Sequence, residues 1–254
     1  MHRFFLPPGK WQGKSVVLEG AEAHHGLRVL RLRKGDQITI LNGQGRECLC
    51  EIESVEKQKI HSRVLQERSH PAHACRITLL QAVPRGKLIE SIIQKATELG
   101  AHRIVPLLTE RVVHRFAAEE AEKKREQWQE VAIEAIKQCG APWLPRVETP
   151  LAPAQYLERK EQFDLPLVAS LPSQDHPRTR FDAFRARHGR QPASVCIWIG
   201  PEGDLTPEEL KIIQESGALP ITLGPLVLRT ETAAIYCLSV AQYETRWNPE
   251  HDDG

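Results

Sequence analysis

The chain has 254 residues, 41% of them hydrophobic and 26% charged, with a formal net charge of +1. No apolar run reaches the roughly 20 residues that a helix needs to cross a bilayer, which excludes a helical membrane span. Six cysteines (Cys48, Cys50, Cys75, Cys139, Cys196 and Cys237) lack the spacing of a disulfide scaffold or a four-ligand zinc site. Reduced thiols and no metal are expected, with His70 and His73 read as part of a linker. The opening MHRFFL has no secretory pattern, so the expected location is the cytoplasm.

Charge is unevenly spread: residues 1–70 carry 12 Lys/Arg against 8 Asp/Glu, whereas 71–254 carry 22 against 25. The basic amino-terminal part consists of short β-type runs and turn signals: SVVL from Ser15, QITILN from Gln37, the turn GQG at 43–45, CLCEIESV from Cys48 and KIHSRVL from Lys59. One helical stretch, 21–32, interrupts them and lays Leu27 and Leu30 over what reads as a small barrel. The polar, proline-containing SHPAHA at 69–74 marks a boundary, giving expected domains 1–70 and 75–254.

Beyond that boundary strands and helices alternate. The pattern predicts a strand over 76–81 and a helix over 86–99, with Leu88, Ile89, Ile92, Ile93, Ala96 and Leu99 on one face and Gly100 as its cap. A strand over 103–108 and a charge-rich helix over 119–138 follow. The unbroken apolar runs at 165–170 and 194–199 suit parallel strands buried on both faces. A short strand at 220–223 and a helix over 230–243 complete an α/β pattern, and the final HDDG reads as a frayed end.

Two loops carry the candidate chemistry, and each follows a predicted buried strand, where open parallel sheets hold ligands. In GPEGDLTPEEL, Gly200, Pro201 and Gly203 form a close-approach turn, while Thr206, Pro207 and Glu209 form a helix start with a capping box. Capping explains the second half of this motif but not the first. In LGPLVLRTETAA, a strand ends at Gly224, an apolar hook of Leu226, Val227 and Leu228 follows, and Arg229 to Thr232 lead into a helix. On these residues alone, a capped helix with a solvated Arg229–Glu231 pair is at least as good a reading. Neither loop is a dinucleotide fingerprint, and P-loop and nucleophile-elbow motifs are missing.

Together with PRGKLIESIIQKATELGAHRIVPLLTERVV and HHGLRVLRLRKGDQI, the loops GPEGDL and LGPLVLRTETAA resemble, in order and spacing, the uridine-N3 methyltransferases of small-subunit ribosomal RNA, the RsmE-type branch of the SPOUT superfamily. The resemblance implies an α/β fold: a SPOUT-type trefoil-knotted parallel-sheet domain preceded by a small PUA-like β-barrel domain. It implies a homodimer, small-subunit ribosomal RNA or the assembled subunit as partner, and S-adenosyl-L-methionine as methyl donor. Ala233, Ala234, Cys237 and Ala241 are small enough for close helix contact between subunits.

By position, the resemblance implies a donor pocket of Leu171, Ile199, Gly200, Pro201, Glu202 and Gly203 with Leu223, Gly224, Val227, Leu228, Arg229, Thr230, Glu231 and Ala233. Arg229 is the catalytic candidate, a cation beside the carbonyl oxygens of a deprotonated uridine, with Glu231 orienting it or the donor's amino group. Glu202 and the His24/His25 pair are candidates for the general base. Candidate RNA contacts are Arg3, His24, His25, Arg28, Arg31, Arg33 and, with less weight, Lys34 in the first domain, and Lys87, Lys95 and Arg111 in the second. Their plain alternative is a solvated basic face, and for Lys95 an i,i+3 pair with Glu98.

Asp204 and Leu205 stand where the family has a glycine and an aromatic, Leu226 where arginine is frequent, and Ala141 where a basic residue is common. These departures bear on RNA contacts more than on the donor loops. Two other functions stay open at this point: a non-enzymatic RNA-binding ribosome-assembly factor, or an enzyme of the same superfamily with a different RNA product.

Overall fold

The computed structural model describes residues 2–11, 13–112 and 116–246. Met1, Val113 and the terminal HDDG, all read above, lie outside them. The elements of the amino-terminal part are β1 (His2–Phe5), β2 (Ser15–Leu18), α1 (Gly20–His24), β3 (Gln37–Leu41), β4 (Arg46–Glu56) and β5 (Lys59–Ser69). Then follow β6 (Arg76–Ala82), α2 (Leu88–Glu98), β7 (Arg103–Leu107), α3 (Ala118–Cys139), β8 (Arg146–Val147) and α4 (Pro153–Leu157). The last are β9 (Leu165–Ala169), α5 (Pro177–His188), β10 (Ser194–Ile199), α6 (Pro207–Glu215), β11 (Leu219–Ile221) and α7 (Thr230–Arg246). The chain divides into two compact units. One holds the described residues up to Ala72 together with Ile133–Leu144, and the other holds His73–Ala132 and the described residues from Pro145 onward.

The first unit is a five-stranded sheet in the order β1-β3-β4-β5-β2, with β1 parallel to β3 and the remaining neighbours antiparallel. Period-two burial along β4 sends Cys48, Cys50 and Ile52 into a core with Phe4, Leu18, Ile38, Ile40 and Ile60. Burial pushes the Cys48 and Cys50 thiols up to about 11 and about 12, so they stay protonated and act as small apolar groups. The helical stretch is shorter than expected. After α1 it widens into a π-helical turn, His25–Val29, where the backbone at Gly26 lies so close to the core that a Cβ would meet Ile60 Cδ1 at 2.7 Å. Leu27 and Leu30 pack on the core as expected.

The segment 133–144 belongs to this unit through specific contacts. Arg3 Nη1 donates to the carbonyls of Lys137 (3.4 Å) and Gln138 (3.0 Å), capping the carboxyl end of α3. Trp143 Nε1 donates to Pro71 O at 3.0 Å, and its ring lies over Gly45, where a Cβ would come within 2.5 Å. That contact and a φ of +84° explain the second glycine of the GQG turn. Lys137 Nζ reaches Glu22 Oε1 at 2.8 Å, and both side chains are largely buried.

The second unit is a six-stranded, all-parallel sheet in the order β11-β9-β10-β6-β7-β8. β6 and β10 are buried at nearly every position, as their unbroken apolar runs require when both faces are covered. α7 packs on β6 and β10 and against α2 and α5. On the sheet's apolar cluster with Leu80, Val168 and Trp198 lie Tyr156 of α4 and Ile213 of α6. α2 buries Ile89, Ile92, Ile93 and Ala96, but Leu88, expected on the same face, is 40% exposed. Gly100 follows α2 with φ +75° and donates to Thr97 O, the expected cap.

Ala233, Ala234, Cys237 and Ala241 are all buried within the chain, on the helix that packs on β6 and β10 and against α2 and α5. Their small size serves close helix-on-sheet packing, which corrects the idea that they form a contact between subunits. The exposed apolar side chains of α7 are Tyr236 and Tyr243.

The Glu22–Lys137 pair gives a stability prediction. Burial pushes the Glu22 carboxyl above the usual range, against the pull of Lys137. Lys137→Ala leaves a buried carboxylate without its cation and is expected to cost about 3 kcal/mol at neutral pH. Losing the cation raises the folded-state pKa of Glu22, already above its ordinary value, further still, so ionisation favours the unfolded chain more in the variant than in wild type. The penalty is therefore smallest below the ordinary glutamate value of 4.5, where the carboxyl is protonated in both, and grows as pH rises through the raised wild-type value above it. Urea midpoints of wild type and variant at pH 4 and about pH 7 check this; equal gaps at both would contradict it.

Candidate functional site

The carboxyl ends of β9, β10 and β11 open on one side of the parallel sheet, and three loops leave there. The loop after β10 turns tightly at Gly200, where a Cβ would meet Asp204 Oδ1 and Leu205 N at 3.1 Å each. Asp204 takes φ +62° and accepts a hydrogen bond from Leu205 N at 2.8 Å, so an acidic side chain closes the turn. Gly203 has more room, since an added Cβ meets only Arg111 Cδ at 3.4 Å.

Neighbouring loops hold this turn in place. Glu202 Oε1 accepts from Arg85 N at 3.0 Å, and Arg111 Nη1 donates to the Gly203 carbonyl. The capping box at the start of α6 is present: Glu209 N donates to Thr206 Oγ1 (3.2 Å) and Thr206 N to Glu209 Oε2 (3.0 Å). The other Glu209 oxygen accepts from Glu110 N at 2.8 Å, so the cap also ties the loop after β7 to the turn.

The loop after β11 returns across the strand ends. Gly224 has φ +110°, a conformation that side chains disfavour, and its N–H reaches Thr222 Oγ1 at 3.3 Å. At the far end of this loop the Thr230 hydroxyl donates to Gly200 O at 2.7 Å, fastening the two loops together. The loop after β9 supplies the third wall: Ser170 N donates to Ile221 O and Thr222 N to Asp175 O.

Between them lies a cleft with about 620 Å³ of space free of atoms, open solvent at its mouth included. Leu171, Leu226 and Val227 stand at 59%, 73% and 78% exposure, an apolar surface with nothing of the described chain over it. Among the lining residues the charged ones are Glu202 and Asp204, and none is cationic. Such a cleft suits a flat apolar ring joined to a positively charged group and disfavours a phosphate.

Of the expected pocket residues, the cleft brings together Leu171, Ile199, Gly200, Pro201, Glu202, Leu223, Gly224, Val227, Leu228, Thr230 and Ala233. Gly203, Arg229 and Glu231 are outside its lining. Arg229 is exposed beside the wall residues Leu228 and Thr230, and among the described residues neither it nor Glu231 has a side-chain partner. The solvated Arg229–Glu231 pair is therefore not formed. Ala169, Ser170, Asp204, Thr222 and Leu226 also line the cleft. Ala169, Ser170, Asp204 and Thr222 each lie at a strand end or beside a loop glycine, and Leu226 belongs to the apolar hook.

The basic candidates differ in their engagements. Arg3 is spent on the end of α3, Lys95 pairs with Glu98 at 3.0 Å, and Arg111 holds the Gly203 carbonyl. His24, His25, Arg28, Arg31, Arg33 and Lys34 are exposed in the first unit, where His25 also meets the ring of Phe4 edge-on. Lys87 is exposed at the start of α2. Among the described residues no helix is long and apolar enough to cross a membrane, and no group of three ligating side chains suits a metal ion.

The RNA methyltransferase domain model matches residues 71–242, and the RNA methyltransferase PUA domain model matches 18–65. The chain is 35% identical over 251 residues to ribosomal RNA small subunit methyltransferase E of Bacillus subtilis, covering 96% of this chain and 97% of that protein. The chain belongs to this RNA methyltransferase family. A Mycobacterium tuberculosis member is 30% identical over 242 residues, covering 95% and 91% of the two chains. The crystal structure of the methyltransferase E from Neisseria gonorrhoeae, bound to S-adenosyl methionine, superposes with a TM-score of 0.83 at 29% identity, over 96% of this chain and 97% of that one.

This methyltransferase should show a clear contrast between its loop glycines. Gly224→Val forces a branched side chain into the left-handed region and is expected to cost about 1–2 kcal/mol. Gly203→Ala is expected to stay within about 0.5 kcal/mol of wild type. Urea unfolding of the two variants separates them, and equal midpoints would contradict the backbone assignment.

Proposed function

We propose that the chain transfers a methyl group from S-adenosyl-L-methionine to N3 of a uridine in small-subunit ribosomal RNA, acting as a homodimer in the cytoplasm. The observation that carries this reading is the cleft: apolar walls for a purine, two carboxylates for a cationic ligand, and loop glycines that expose backbone groups. When bound, the donor supplies an electrophilic methyl on a sulfonium sulfur. Leu171, Val227 and Leu228 are suited to grip the adenine, and Glu202 and Asp204 to favour the positive end. The absence of a phosphate-binding loop is consistent with a ligand that has no phosphate.

Uridine N3 carries a proton that must leave before the nitrogen can accept the methyl. As it leaves, negative charge spreads to the flanking carbonyl oxygens. Arg229 meets the requirement for stabilising it: an uncommitted guanidinium beside the cleft wall. The target uridine has to be unpaired to enter, which fits recognition of single-stranded RNA. In the first unit, Arg28, Arg31 and Arg33 are exposed and suited to phosphate contact. The same proposal includes a trefoil-knotted path for the second unit and a subunit contact that uses the exposed Tyr236 and Tyr243 of α7.

Mass mapping of ribosomal RNA from cells lacking and regaining the protein tests the product. One uridine should lose and recover its N3 methyl; a change at a ribose or a guanine would point to another product, and no change to a non-enzymatic role. Arg229→Ala should lower turnover by about 100-fold or more with little change in RNA affinity. Turnover equal to wild type would remove Arg229 from the mechanism. Arg28→Ala with Arg31→Ala should weaken RNA binding and reduce the slope of log affinity against log salt by about 2. An unchanged slope would make these arginines a solvated face.

A further inference from the structure

The end of β6 carries a polar side chain that the cleft itself does not touch. Gln81 is fully buried and pairs in register with Ile199, the last residue of β10. Its Nε2 donates to Ala82 O and to Thr230 Oγ1, each at 2.9 Å. Thr230 Oγ1 lies 2.7 Å from Gly200 O. A threonine hydroxyl has one proton to give, and with Gln81 Nε2 occupying a lone pair, that proton is committed to Gly200 O. Three chain segments are thereby joined: the end of β6, the turn after β10 and the first residue of α7.

The orientation of the Gln81 amide is fixed by its surroundings. Turned over, its oxygen would face the Ala82 carbonyl, so the nitrogen must point there and toward Thr230. Oε1 is left buried with no hydrogen-bond partner among the described residues. A leucine would fill similar space without that desolvation cost, so packing alone does not account for a glutamine here. Glu202, Arg229, Glu231 and Glu244 on the adjoining loop and helix make no hydrogen bond to Gln81, and burial keeps the Cys237 thiol of α7 protonated, at about 12.

We propose that Gln81 is a positioning residue for the methyl-donor site. By fixing the direction of the Thr230 hydroxyl it holds Gly200 against the base of the second loop, and so sets the affinity of the cleft for its ligand. This rests on the donor-site reading of the cleft.

The test is calorimetric titration of full-length Gln81→Glu, Gln81→Leu and Thr230→Val with S-adenosylmethionine, from about pH 5.5 to pH 8.5. In Gln81→Glu the ionised carboxylate takes the Thr230 proton and turns it away from Gly200 O, so affinity at the upper end should fall about tenfold or more. Burial raises the pKa of the new carboxyl, and its protonated form can give its single proton to Thr230 Oγ1 in place of the amide, leaving the bond to Ala82 O unmade, so affinity should recover in part as pH falls. Gln81→Leu and Thr230→Val should lose a similar factor at every pH, and the two together no more than either alone. A role confined to folding would lower thermal stability without moving donor affinity, or move it equally at all pH values in Gln81→Glu; either result overturns the proposal. If the Gln81 variants do not fold, wild-type affinity in Thr230→Val overturns it. No uptake by wild type removes the donor-site reading itself, an outcome distinct from these.

Discussion

The hydrogen bond from the Thr230 hydroxyl to the carbonyl of Gly200 is the contact on which the cleft depends. Strand order makes it necessary. β11 lies at one edge of the sheet with β9 between it and β10, yet α7, which follows β11, packs on β10 and β6. The chain from Thr222 to Arg229 must therefore cross the ends of β9 and β10 to reach the start of its helix. Crossing there, it passes Ala169 and Ser170, leaves Leu171 exposed, and faces the turn after β10. The cleft is the space beneath that crossing, and Thr230 pins its far end.

This arrangement shows what the sequence makes legible. The long apolar runs of β6 and β10, the face of α2 carrying Ile89, Ile92 and Ile93, and the capping box at Thr206 and Glu209 report local physics, and they appear where periodicity and capping rules place them. Eleven residues of the cleft are those that the family resemblance implied by position; local pattern alone marked only the loop glycines and the apolar hook after two buried strands. β1 was missed because four residues with one buried side chain carry no period, and only its pairing with β3 defines it. α5 was missed for a related reason: PRTRFDAFRARH is rich in arginine and buries only Pro177, Phe181 and Phe184.

Other features had no local signal at all. That the end of α3 and Trp143 belong with the amino-terminal sheet follows from Arg3, Lys137 and Gly45, residues far apart in sequence whose roles are defined by one another. The small residues of α7 illustrate the opposite error. Their size correctly signals close approach, but only the fold shows that the approach is to the sheet beneath them.

Polar groups in the catalytic unit divide into those that are spent and those that are free. Glu202, Glu209 and Arg111 are tied to backbone groups and hold the turn after β10. Arg229 is left uncommitted at the edge of the cleft.

Amide hydrogen exchange with and without saturating S-adenosylmethionine probes this arrangement most directly. Slowed exchange is expected in 199–205 and 222–230 together, because one ligand in the cleft must touch both loops. Protection of only one stretch, of neither, or of another part of the chain would contradict it.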